Sequence, residues 1–102
     1  MSTLVQILLP ARDNEGEAFS SAEFERVARE LTDHFGGITA FTRAPAQGRW
    51  KQGGTTEHDD IVVFEVMEEG LDRAFWSRYR ADLEARFRQE VIVIRAQDIQ
   101  IL

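Results

Sequence analysis

Cysteine is absent from this chain of 102 residues, which excludes disulfides, thiolate zinc sites and cysteine nucleophiles. Histidine occurs only at His34 and His58, too far apart to share ligand spacing. No apolar run approaches the roughly 20 residues that cross a bilayer. No basic region precedes the apolar residues after Met1, so neither a membrane partner nor a signal peptide is expected and the default location is cytoplasmic. Positive charge is in short supply, with 12 Lys and Arg against 18 Asp and Glu and a net charge of −6. Nucleic-acid affinity comes largely from cations that neutralise phosphates, so no nucleic-acid partner is expected. The chain also lacks a phosphate-cradling glycine loop with its lysine, a nucleophile elbow and a paired-histidine helix. No catalytic residue and no cofactor is therefore assigned, and the balance lies against an enzyme.

What is present is an ordinary globular composition, 43% hydrophobic, in a length that suits one domain over residues 1–102. Two helices are marked. Ser20 with Glu23 reads as a capping box, and Phe19 with Phe24 as a hydrophobic staple. Phe24, Val27, Ala28, Leu31 and Phe35 then share one face, and Gly36-Gly37 ends the helix. The second helix is predicted over 71–89, where Leu71, Phe75, Tyr79, Leu83 and Phe87 recur every four residues. Asp72 suits the dipole of its first turn, as His34 suits the end of the first helix. Asp82 with Arg86, and Glu84 with Arg88, are acid-before-base pairs on its solvated side.

Four strands are predicted, over 3–9, 38–43, 61–68 and 91–102. The order β-α-β-β-α-β with right-handed crossovers gives an α+β fold of the split β-α-β type, a four-stranded antiparallel sheet with two helices on one face. The other face carries Leu4, Gln6 and Leu8 from strand one. It adds Ile61, Val63, Glu65 and Met67 from strand three, and Val91, Val93, Arg95 and Gln97 from strand four. A fully solvated face alternates to polar residues, whereas this one stays half apolar. Such a patch is expected to meet another copy, giving a homo-oligomer, dimer or trimer.

Two groups of residues stand out as candidate sites. The stretch 44–60 is long for a connection between adjacent strands. Arg43, Arg49 and Lys51 there would hold a small anionic ligand while Trp50 covers its apolar part. A plainer alternative has Trp50 closing the end of the core with solvated cations around it. Residues 51–56 read as a flexible tip. Glu57-His58-Asp59-Asp60 is the one His/acid cluster, but four adjacent residues rarely converge on one ion, so no metal site is assigned. The second group is Gln6, Glu65 and Arg95, a polar line across the outer face if strand one lies between strands three and four. It fits either a pocket with a few converging polar groups or a register-fixing contact in a subunit interface.

The arrangement resembles the ferredoxin-like superfamily over essentially the whole chain. Phe35-Gly36-Gly37-Ile38-Thr39-Ala40-Phe41, Gly48-Arg49-Trp50 and the stretch 59–67 resemble a family of small bacterial proteins to which no activity attaches. Gly37-Ile38-Thr39 before a long loop is similar to the nitrogen-regulatory signal proteins. Those are trimers that bind nucleotides between subunits, and their loop contacts partners. Their glycine- and lysine-rich segment is replaced here by Arg86-Phe87-Arg88-Gln89-Glu90, which departs from nucleotide binding. The half-apolar face resembles that of the dimeric α+β barrels. The leading expectation is a non-catalytic oligomeric ligand-sensing or interaction domain working through 44–60. The alternative is a small dimeric α+β barrel, enzyme or binding protein, using Gln6, Glu65 and Arg95.

Overall fold

In chain order the elements are β1 (Ser2–Pro10), α1 (Ser21–Phe35), β2 (Thr39–Arg43), β3 (Lys51–Gln52), β4 (Thr55–Thr56), β5 (Ile61–Glu69), α2 (Arg73–Arg86) and β6 (Val93–Ile99). The computed structural model describes residues 1–43, 51–52, 55–56 and 61–102, and for 39–43, 51–52 and 55–56 the backbone alone. Strict alternation builds β1: Thr3, Val5, Ile7 and Leu9 are buried and their neighbours half-exposed. β5 runs antiparallel beside it with Val66 opposite Val5 and Phe64 opposite Ile7. β6 pairs antiparallel with its other side, and β2 pairs with the far side of β5, giving the order β2-β5-β1-β6.

Val5, Ile7, Leu9, Phe64 and Val66 share one sheet face and form a single buried cluster with Val27 and Leu31 of α1 and Trp76, Tyr79 and Leu83 of α2. Both helices therefore lie on that face. Phe87 and Ile92, just past α2, complete the core. Each fully buried side chain of this size contributes roughly 1.5–3 kcal/mol. An α+β chain with two helices against an antiparallel sheet is as the sequence predicts.

Several local expectations are corrected. The Ser20 side chain makes no capping hydrogen bond; its backbone carbonyl accepts from the Glu23 N–H at 3.1 Å instead, so no capping box forms. The staple does form, with Phe19 edge-on to Phe24 at 6.5 Å and to Phe87 at 4.9 Å. Gly36 ends α1 at φ 83, where a Cβ would strain the backbone, and its N–H donates to the Thr32 carbonyl at 2.7 Å. Asp72 is the N-cap of α2, accepting from the Phe75 N–H at 3.1 Å.

α2 stops at Arg86, earlier than the predicted 89, and Arg88 has a left-handed φ of 52. The Glu84–Arg88 pair is therefore lost, because Arg88 no longer stands one turn along a helix. Glu84 accepts the Ile92 N–H at 3.0 Å, and Arg88 reaches Asp13 at 3.4 Å. The last strand is shorter than 91–102, with Val91 exposed ahead of it. Within 44–60, β3 and β4 pair antiparallel, Lys51 opposite Thr56 and Gln52 opposite Thr55, where only a loop tip was expected. In sequence, Gly53-Gly54 between Gln52 and Thr55 has the composition of a hairpin connection. Among the described residues no helix is long and apolar enough to cross a membrane.

Candidate functional site

Gln6 stands in register with Glu65 on one side and Arg95 on the other. Its amide bridges them. Gln6 Nε2 donates to Glu65 Oε2 at 2.5 Å, and Arg95 Nε donates to Gln6 Oε1 at 2.7 Å. The two charges thus meet through an amide rather than directly. Gln6 and Glu65 are half-buried and Arg95 is exposed. Thr39 of β2 lies opposite Glu65 and extends the row by backbone register.

The row crosses an apolar surface. Leu4 and Leu8 are half-buried on either side of Gln6, while Met67 keeps 58% and Val93 49% of its surface exposed. Val63 on the same face is already covered, at 4%. Charge-assisted hydrogen bonds of this kind are worth roughly 1.5–3 kcal/mol when desolvated and much less in water. The site is therefore energetically quiet on an open face and consequential on a covered one.

The loop candidates are differently placed. Arg43 ends β2 opposite Ile61, and Lys51 opens β3. Their side chains, with Arg49, Trp50, His58, Asp59 and Asp60, lie outside the described residues. Among the described residues no group of three or more His and acidic side chains is placed to hold a metal ion.

A feature on the helix side of the sheet has no counterpart in the expectations above. A groove of about 580 Å³ runs between α2 and the β1–β6 flank, with Arg73, Trp76, Ser77 and Arg80 on one wall and Ile94, Ala96 and Asp98 on the other. The i, i+3, i+4, i+7 spacing of the four α2 residues is the only trace of it in the sequence. At its mouth the Met1 ammonium bonds Glu69 at 2.7 Å, which raises the amine's pKa and lowers that of the carboxyl.

No family model and no curated protein matches the sequence. Among solved structures, the chain is similar to a phage SAM lyase in complex with S-methyl-5'-thioadenosine, at 14% identity and a TM-score of 0.63. The likeness covers 95% of this chain and 81% of that one. At such low identity it shows a small α+β fold and nothing about chemistry.

Proposed function

We propose that the protein is a non-catalytic, self-associating domain that presents the open face of a ferredoxin-like, split β-α-β sheet to further copies of itself. The order β2-β5-β1-β6 with both helices on one side supports that class. The Arg95–Gln6–Glu65 relay carries the functional reading. Polar groups in an interface must be paired, and this relay pairs them in advance at the centre of an apolar patch. Arg95, exposed at the end of the row, supplies a charged anchor for the facing copy. The segment 44–60 connects β2 to β5 in the chain, and Arg43, Arg49, Trp50 and Lys51 are assigned as contacts for a small anionic ligand. Light scattering tests the assembly. A dimer or trimer that Met67→Lys with Val93→Lys converts to monomer supports it; a monomeric parent at high micromolar concentration refutes it.

A second reading draws on the likeness to the SAM lyase over nearly the whole chain. Here the assembled sheet face encloses a ligand of that kind, with Gln6, Glu65 and Arg95 as its polar contacts. Incubation with SAM, followed by chromatography for S-methyl-5'-thioadenosine, decides. Product that Glu65→Gln abolishes replaces the first reading.

A further inference from the structure

We infer that the groove between α2 and the β1–β6 flank is a binding site for a small organic anion, a flat apolar body carrying a phosphate or carboxylate, gripped by Arg73 and Arg80. The groove exists because α2 roofs only part of the sheet. Val5 and Ile7 of β1 are buried beneath the helices, yet Ala96, opposite Val5 on β6, is exposed and Ile94, opposite Ile7, is half-exposed. The same helix turns Trp76, Tyr79 and Leu83 into the core, which leaves Arg73, Ser77 and Arg80 exposed along the β6 side. The resulting volume of about 580 Å³ lies within the range of roughly 300–1,000 Å³ typical of small-molecule sites.

Charge selects the occupant. Neither Arg73 nor Arg80 has a hydrogen bond or ion pair among the described residues, whereas Arg86 on the same helix is held by two carboxylates. The nearby acids are engaged elsewhere. Glu68 accepts the Asp72 N–H at 2.8 Å and Trp76 Nε1 at 3.2 Å. Glu69 holds the Met1 ammonium at 2.7 Å and the Ser2 hydroxyl at 3.1 Å. Asp98 alone opposes the two arginines on the lining. In a chain of net charge −6, this local excess of cation runs against the background.

Seven residues of helix separate the arginines by about 10 Å along the axis. Two long side chains can close that span onto one anion above Ser77, whose hydroxyl adds a donor. Planar guanidinium forks match carboxylate and phosphate oxygens. Trp76 on one wall and Ile94 and Ala96 on the other supply the apolar lining, and the small Ala96 side chain leaves room for a ring.

The site lies on the sheet face opposite the proposed assembly surface, so it stands or falls independently of that reading. The test is titration of the intact chain with phenyl phosphate and with phenylacetate, read from backbone amide shifts. Saturable shifts centred on Ser77 and Ala96 are expected, and the tighter probe names the head group. Arg73→Gln with Arg80→Gln, at exposed positions, should weaken binding by roughly tenfold or more. Ala96→Phe should block the ring without altering charge; if that variant fails to fold, the double arginine variant still decides. Absence of shifts at these residues with either probe at millimolar concentration overturns the inference. So do shifts centred on Met67 and Val93, and so does affinity unchanged in the double arginine variant.

Discussion

Arg86 of α2 grips Glu30 of α1 in a two-pronged ion pair, with Nη1 2.6 Å from Oε1 and Nη2 2.8 Å from Oε2. Tyr79 donates its hydroxyl to the same carboxylate at 3.0 Å, and Asp82 accepts a third bond from Arg86, again from Nη2, at 2.7 Å. This cluster ties the helices together above the core and leaves the Arg86 side chain only 12% exposed. It also fixes the orientation of α2, and hence of the groove wall that Arg73 and Arg80 form about four and two turns earlier on the helix.

Removing Arg86 should therefore cost more than removing an ordinary surface cation. Arg86→Met is expected to destabilise the fold by about 2 kcal/mol, between the small value of an exposed pair and the larger cost of breaking a buried one. Arg88→Met, at an exposed position with a long contact to Asp13 and the guanidinium 5.7 Å from the Phe19 ring centroid, should cost less, no more than about 1 kcal/mol. Urea unfolding of the two variants measures the contrast, and equal costs would mean that the clamp contributes no more than surface charge.

The same cluster sets a pH dependence. Hydrogen bonds from Arg86 hold the Glu30 carboxyl below its ordinary value of 4.5. A depressed folded pKa means stability that is present above about pH 4.5 and lost as pH falls through the folded value. Burial, then the bond to Glu30, raises the Tyr79 hydroxyl above its ordinary value of 10.0. That contribution is present below about pH 10 and lost as pH rises beyond it. Thermal unfolding across pH should show both limbs. Glu30→Gln should flatten the acid limb, and an acid limb unchanged in that variant would show that Glu30 does not cause it.

Two serine and aspartate caps offer a sharper contrast. Asp72→Ala removes a side-chain cap on the Phe75 N–H and should cost about 1 kcal/mol. Ser20→Ala removes a hydroxyl that makes no such bond and should be close to neutral. Chemical denaturation of both variants checks this, and equal losses would mean that Ser20 does cap α1.

What was legible in the sequence follows from which positions physics constrains locally. Alternation in Thr3–Leu9 exposes one face because a strand buried on one side must repeat every two residues, and the burial of Thr3, Val5, Ile7 and Leu9 follows it. Strand order and alternation put Gln6, Glu65 and Arg95 on one face, and the register that makes them cross-strand neighbours comes from the structure. Arg86 was not legible as a clamp: spacing pairs it with Asp82, but only the packing of α1 on α2 brings Glu30 to it. The groove was missed for the same reason, since it depends on how far a helix leaves an edge strand uncovered. Ser20 was misread because a sequence fit to a capping box does not oblige the hydroxyl to turn toward the helix.

The relay across the sheet face gives the most discriminating prediction. Arg95 is exposed and touches Glu65 only through Gln6, so in a dilute, dissociated chain Arg95→Met should cost no more than about 1 kcal/mol. Gln6→Leu should cost more, about 1–2 kcal/mol, because half-buried Glu65 then keeps its charge but loses the described donor. A cycle of Glu65→Gln with Arg95→Met should show weak coupling that vanishes when Gln6 is already leucine, since the amide carries it. Protein concentration then separates an open face from a covered one. If copies meet on this surface, desolvation strengthens every bond in the row, and the penalty of Arg95→Met should grow as concentration rises through the assembly range. Denaturant unfolding at low and high micromolar protein measures this. A penalty that stays constant, in a protein that light scattering finds assembled, would place the contact between copies elsewhere on the molecule.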